Sequence, residues 1–240
     1  MTLSDYIDRI ESASRTITVY APAPRPALVD RLRRETGVRS VDYRSLPEMT
    51  AASRAFLVVH EGGEFVAAIG LDAVREFLEP PIYDPWAEEL DEVPYRHVID
   101  VFESTVWHTL DRRQLLAASR EIENRAWQVG SGTLRVGFQR SGALEAMAPV
   151  YDRLAAETAL DIHVYIDDDW ARPSIPGVTI HADAGAEIGS VWVLVFDGDG
   201  DELWSGGLLA KEHDGGGFEG VWVDESRLVA LLDRSLQQSV

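Results

Sequence analysis

LLAASREIENRAWQVGSGTLRVGFQ, residues 115–139, carries the local grammar of an α/β fold in one stretch. Leu115, Ala118, Ser119, Ile122 and Ala126 recur at i, i+3, i+4, i+7 spacing, which places them on one face of a helix and turns Arg120, Glu123 and Asn124 elsewhere. Gly130 and Gly132 supply the permissive dihedrals that stop that helix. Leu134, Val136 and Phe138 then alternate with Arg135, Gly137 and Gln139, the period of a strand buried on one side. The spacing predicts a helix over 112–127 packed against a strand over 134–139.

Working outward, the chain shows two halves of similar order. The first reads as helix 3–12, strand 17–21, helix 27–35, strand 38–43 and a hairpin of 55–60 with 65–70. The second reads as helix 112–127, strand 134–139, helix 143–157, strands 161–166 and 178–182, and a hairpin of 191–197 with 202–210. A further strand over 220–225 and an apolar-striped helix over 225–236 close the chain. Asp30-Arg31-Leu32 followed by Glu35-Thr36 matches Asp152-Arg153-Leu154 followed by Glu157-Thr158, a coincidence that either an internal duplication or ordinary β-α-β-hairpin grammar produces. The expected fold class is α/β: two similar β-α-β-hairpin halves with mixed, partly antiparallel sheets covered by helices.

Between the halves, EPPIYDPWAEELDEVP at 79–94 has four prolines and no basic residue. Proline removes backbone donors and the carboxylates repel, so an extended, solvated linker is expected, with Tyr83 and Trp86 as candidate anchors for a partner. This divides the chain into an N-terminal α/β half (1–78), a linker (79–94) and a second domain (95–240), in which 95–110 reads as a helix.

Acidic residues number 41 against 22 basic ones, a net charge of −19, and Lys211 is the one lysine. Such a carboxylate surface suits concentrated salt, where repulsion is screened within ~3 Å at 1 M. It argues against direct binding to nucleic acid or an anionic membrane. The absence of cysteine excludes thiol nucleophiles, disulfides and cysteine-bound metal. No continuous apolar run marks a signal peptide or membrane span, so the expected location is cytoplasmic.

Catalytic motifs are equally sparse. Asp197-Gly198-Asp199-Gly200-Asp201 opens like a calcium loop but continues with Glu202 and Leu208 where glycine and glutamate are needed. Asp167-Asp168-Asp169 with His163 and His181 matches no ligand spacing, and His97 and His108, on one predicted helix, stand too far apart to share an ion. No Gly-x-Ser-x-Gly elbow or phosphate loop is present. No catalytic residue, metal site or cofactor is expected. Arginines cluster at 25–44 and at Arg112, Arg113, Arg120 and Arg125, suited either to an anionic ligand or to the protein's own carboxylates. Aromatic side chains gather in the second half, where core packing is the default.

The pattern S-R-E-I-E-x-R-A-W-x-V-G-S-G-x-L-x-x-G-F-Q over 119–139 closely resembles the DICT sensory domain, and the likeness extends over roughly 102–236. Over its whole length, including EGGEFVAAI at 61–69, the chain is similar to stand-alone members from salt-loving archaea. The resemblance implies a non-catalytic sensory module that binds a small ligand or a partner protein. Its expected partners are a histidine kinase, diguanylate cyclase or transcription regulator, with a second copy of the chain as a further candidate. No kinase, cyclase or helix-turn-helix is recognisable in these residues, so the signal is expected to pass to a separate protein. For the ligand, the expected residues are Arg120, Glu123, Trp127, Gln139, Tyr165 and Trp222, with helix 112–127 moving against strand 134–139. The alternatives are an enzyme acting on a phosphorylated or nucleotide metabolite through Arg120, Glu123 and Gln139, or a dimerisation unit.

Overall fold

Apolar alternation in RTITVYA makes Arg15–Ala21 a strand, β1, that buries Ile17, Val19 and Ala21. Pro26 at the first turn starts helix α1, Pro26–Glu35, which buries Val29 and Leu32 and leads to β2, Ser40–Ser45. Strands β3 (Phe56–Glu61) and β4 (Glu64–Gly70) form a hairpin on the other side of β1. These relations come from a computed structural model that describes residues 7, 15–47, 55–167, 174–182, 184–213 and 216–238. Of the helix expected over 3–12, only Ile7 falls among the described residues, where it is buried; Asp168 and Asp169 lie outside them.

The first sheet has the order β2-β1-β3-β4, with β1 and β2 parallel and the other pairs antiparallel. The same sequence of moves recurs in the second sheet. Its strands β6 (Ser131–Phe138) and β7 (Ala159–Ile166) are parallel and joined by helix α5 (Ser141–Glu157), after helix α4 (Arg112–Val129). Strand β9 (Val191–Phe196) then lies antiparallel to β6, and β10 (Gly206–Glu212) antiparallel to β9. Three further strands, β5 (Trp107–Leu110), β8 (Val178–His181) and β11 (Phe218–Val223), extend the order to β5-β11-β10-β9-β6-β7-β8. Helices α2 (Leu71–Leu78), α3 (Arg96–Val101) and α6 (Ser226–Gln237) bring the described α-helices to six. The architecture is α/β with two mixed sheets, four-stranded and seven-stranded.

The repeated phrase builds the same helix exit in both halves. Leu32 and Leu154 enter the core. The Thr36 and Thr158 hydroxyls donate back to their carbonyls at 2.7 and 2.6 Å. Arg31–Glu35 and Arg153–Glu157 pair at i,i+4 spacing, 2.8 and 2.9 Å. Leucine anchors the last turn while the threonine N–H and hydroxyl both donate to its carbonyl, closing the turn before the chain leaves each helix into the next parallel strand.

Strand alternation divides the second sheet between two apolar layers. Leu134, Val136, Leu194, Phe196 and Leu208 face α4, α5 and the core shared with the first sheet. Val193, Val195, Leu209, Val221 and Val223 face α6, which supplies Val229, Leu232 and Leu236. Gly137 lies on the second face, where an added Cβ would meet Val193 Cγ1 at 2.5 Å. Gly137→Ala is therefore expected to cost about 1–3 kcal/mol by overpacking, read as a lower midpoint in chemical denaturation. An unchanged midpoint would refute this account of the glycine.

Two expectations change. The stretch 95–110 is not one helix: α3 ends at Val101, Ser104 takes φ 54°, and its N–H donates to the Trp222 carbonyl at 2.9 Å. The remainder becomes β5, drawn out by pairing with the open edge of β11. His97 and His108 consequently sit on different elements.

Residues 79–94 are also less solvated than their composition implies. Pro80, Pro85, Leu90 and Val93 are buried, and Glu88–Glu92 forms a 3₁₀ turn. Proline-rich backbone pairs little with itself, so its carbonyls stay free to accept from α4. Asn124 Nδ2 donates to the Pro85 carbonyl at 2.8 Å, and Arg113 Nε donates to that of Pro80. Trp86 packs edge-on against Trp127 at 5.8 Å, under the Arg153 guanidinium at 4.1 Å.

Candidate functional site

Helix α4 opens with a capping box in which the Asp111 carboxylate accepts from the Gln114 N–H at 2.8 Å and the Gln114 side chain accepts from the Asp111 N–H at 2.9 Å. It ends at Gly130, whose φ of 71° is left-handed. Between these caps the helix is enclosed on every side: Ala117 through Ala126 are all buried. The one-sided apolar stripe described only part of it. Arg120, Glu123 and Asn124, expected to point away from the core, are sheathed by α5, the 79–94 segment and the seven-stranded sheet.

Ion pairs make that enclosure tolerable. The Arg120 guanidinium donates to Glu123, whose other carboxylate oxygen accepts from the Tyr151 hydroxyl at 2.7 Å. Glu121 is held by Arg96 at 2.7 Å and Arg125 at 3.4 Å. Arg125 also reaches Asp224 at 2.9 Å and the Ser205 carbonyl at 3.2 Å. Burial pushes the Glu121 carboxyl up against the opposing pull of Arg96 and Arg125. Burial, reinforced by Glu123, also pushes the Tyr151 hydroxyl well up, so it remains a donor. Among the described residues, Arg120 Nε and Glu121 Oε2 find no partner.

A cleft of about 700 Å³ lies in front of this network. It opens at the carboxyl end of β6, the strand at which the sheet changes from a parallel neighbour, β7, to an antiparallel one, β9. Open α/β sheets commonly leave a crevice at such switch points. Arg112 and Leu116 of α4 form one side, residues 137–143 and Ala146 and Met147 the other, and Trp192 of β9 closes the wall. The Trp192 indole is fixed by donation to Ser119 Oγ at 3.1 Å and by edge-on packing with Phe218 at 6.2 Å. Phe138 packs edge-on against Tyr151 at 5.9 Å, and Met147 Sδ lies 3.5 Å from Arg120. Two wall residues thus rest on the buried network.

The six expected ligand residues do not converge. Gln139 lines the cleft. Arg120 and Glu123 lie behind its wall, paired with each other. Trp127 packs edge-on against Trp86 outside it. Tyr165 is on the opposite face of the sheet, accepting from Arg135 at 3.1 Å and stacked on His181 at 4.7 Å. Trp222 is buried between Trp107 and Phe77, its indole donating to the Ile99 carbonyl at 2.6 Å. Sequence reading missed Arg112, Leu116, Arg140 and Met147 as neighbours in one cleft. The available signal was positional: the residues after a parallel strand that precedes a helix.

Among the described residues no three histidines or carboxylates gather as a metal site. In the acidic hairpin, Asp197 Oδ1 accepts from the N–H groups of Thr133 and Asp199 at 2.8 and 2.9 Å, and Asp199 Oδ2 from the Ser131 hydroxyl at 2.6 Å. These carboxylates pin the loop to β6. His163 Nδ1 and His181 Nε2 lie 3.0 Å apart in stacked rings, and burial, with His163 and Arg135 adding to it, pulls the His181 imidazole down.

Residues 98–213, which hold α4, β6, the cleft and the Arg120–Glu123–Tyr151 part of the buried network, match the family described as the sensory domain in diguanylate cyclases and two-component systems. That family is the DICT domain, and the match covers just under half of the chain. The DICT phrase therefore encodes a helix buried on all sides, its internal ion pairs and the strand ending at the cleft. Among curated proteins none matches the chain. One solved structure, polyphosphate kinase from Porphyromonas gingivalis, overlays 99% of this chain on 48% of its own at 11% identity and a TM-score of 0.38, a likeness that carries no argument. The chain spans about half the length of that kinase. Among the described residues no helix is long and apolar enough to cross a membrane.

Proposed function

We propose that this protein is a non-catalytic sensory module whose DICT cleft binds a small ligand and whose response is read by a separate signalling protein, such as a histidine kinase, diguanylate cyclase or transcription regulator. The observation that carries this reading is the cleft itself. Its walls are largely apolar, its position is a sheet switch point, and its Phe138 and Met147 touch the buried Arg120–Glu123–Tyr151 network. Of the polar set that an enzyme would use, Arg120 and Glu123 are engaged with each other behind the wall, which leaves Gln139 alone in the cleft.

Helix α4 is a poor moving part, because displacing it would break several buried ion pairs. The first two turns of α5 are better suited. Gly142, Glu145 and Ala146 are exposed, and Pro149 lacks the N–H that would bond back along the helix. A ligand that binds better when 141–148 are drawn against Trp192 would shift the protein toward that arrangement and change the surface of α5.

The test uses N-phenyl-1-naphthylamine, a neutral fluorescent probe. Ala146→Trp, which fills the cleft from an exposed position, is expected to weaken its binding at least tenfold with the melting temperature unchanged. Hydrogen exchange in 140–149 is expected to slow when the probe is bound to the unaltered protein. Binding that ignores Ala146→Trp would place the ligand elsewhere and end this reading.

A further inference from the structure

The cleft is the reverse of the surface around it. The chain carries 41 acidic residues, so about two carboxylates would fall among twelve lining residues drawn at random. Among the described residues the lining has none, and has two arginines. Arg15, Arg120, Arg125 and Arg135, which are buried or half-buried, are joined to carboxylates, whereas the exposed Arg25, Arg34, Arg39 and Arg44 of the first half join none among the described residues but line no cleft with apolar walls. Arg112 and Arg140 are exposed and join none among the described residues; Arg112 lies 5.8 Å over the Phe218 ring. Leu116, Phe138, Ala143, Ala146, Met147 and Trp192 supply an apolar surface beside those two guanidiniums, and Gln139 adds an amide.

We infer that the cleft selects an amphipathic organic anion, with a body of acyl or aromatic carbon against Leu116, Phe138, Met147 and Trp192 and a carboxylate, sulfonate or phosphate headgroup met by Arg112 and Arg140. The inference rests on the cleft being the ligand site proposed above, and names the chemistry that site recognises. A guanidinium without an internal carboxylate keeps its planar donors available, and those donors match the oxygens of such headgroups. The apolar walls supply affinity without regard to charge, while the arginines discriminate. In a molecule of net charge −19, long-range repulsion opposes any anion, so a local pair of cations is the feature that reverses it. Added salt screens exposed charges, so selectivity is expected to narrow as ionic strength rises.

Two probes that share one ring system separate these contributions. 1-Anilinonaphthalene-8-sulfonate carries the anionic group that N-phenyl-1-naphthylamine lacks. Titration of the full chain with both, in the unaltered protein and in Arg112→Gln/Arg140→Gln, is expected to show the sulfonate weakened at least tenfold and the neutral probe changed less than twofold. Both arginines are exposed, so the double variant is expected to fold, which its melting curve checks; Arg140→Gln alone should give an intermediate loss. Equal changes for the two probes, or none for the sulfonate, would overturn the anion preference while leaving the cleft as the ligand site. Binding of both probes that Ala146→Trp does not affect would remove the site and the inference together.

Discussion

Glu123→Ala is expected to lower the free energy of unfolding by about 3–5 kcal/mol, because it strands a buried guanidinium and a buried phenol at once. Arg120 is 5% exposed and Glu123 1%, and Tyr151 donates to the same carboxylate at 2.7 Å. Burial alone would push the Arg120 guanidinium down, and Glu123, with Tyr151 and Asp84 adding to it, more than restores it, so the charge is tolerable only in company. A double variant, Arg120→Met/Glu123→Leu, removes both charges while keeping volume and is expected to lose much less stability than Glu123→Ala. Denaturant midpoints for Arg120→Met, Glu123→Leu and the double variant test this directly. Additive losses would mean that the two side chains contribute independently, and the account of the network would fail. A ligand site built from these groups predicts the opposite pattern, with little change in stability and a large change in binding.

Trp222→Ala is expected to cost about 3–5 kcal/mol and to weaken both sheets together. Trp222 is 3% exposed, stacked on Trp107 at 5.8 Å and edge-on to Phe77 at 5.8 Å. Phe77 belongs to α2, which follows the first sheet, and Trp107 begins β5 on the edge of the second. The same region holds a bridge between Thr36 and Trp107, and Arg15 donates to the Val101 and Glu103 carbonyls at 2.9 and 2.7 Å. The indole thus lies where the apolar layers of the two halves meet in one cluster. Far-ultraviolet dichroism and hydrogen exchange across 56–70 and 191–223 are expected to report one shared transition, lowered as a unit. Loss of protection in the second sheet alone would show that the halves melt independently and that Trp222 serves only its own. Trp222→Phe keeps most of the ring contact but leaves the Ile99 carbonyl without its donor, so a smaller loss is expected.

The arrangement of strands and helices was largely readable because it depends on local alternation. Ile17 and Val19, or Leu134 and Val136, announce strand faces whatever their partners, and Gly130 stops a helix by its own dihedral freedom. The repeated phrase was readable for the same reason, since Thr36 and Thr158 cap carbonyls four residues back in their own helices. Positions 102–110 failed because their fate rests on a distant edge: β11 offers backbone groups more than a hundred residues away, and β5 takes them. The burial of Arg120, Glu123 and Asn124 was not legible because helical periodicity identifies one apolar face and stays silent about what covers the others.

The amino-acid sequence by itself determined the α/β class, the order of most of the elements, the DICT phrase and the absence of thiol chemistry, all properties of composition or of spacing within a few residues. Only the tertiary structure decided that the phrase's charged residues face one another, that the proline-rich stretch lies against α4, and that Arg112, Gln139, Arg140, Met147 and Trp192 share one cleft. The reason is physical. Backbone preference and periodicity act along the chain, whereas burial of a charge, and the shape of a cavity, depend on surfaces brought together from far apart in sequence.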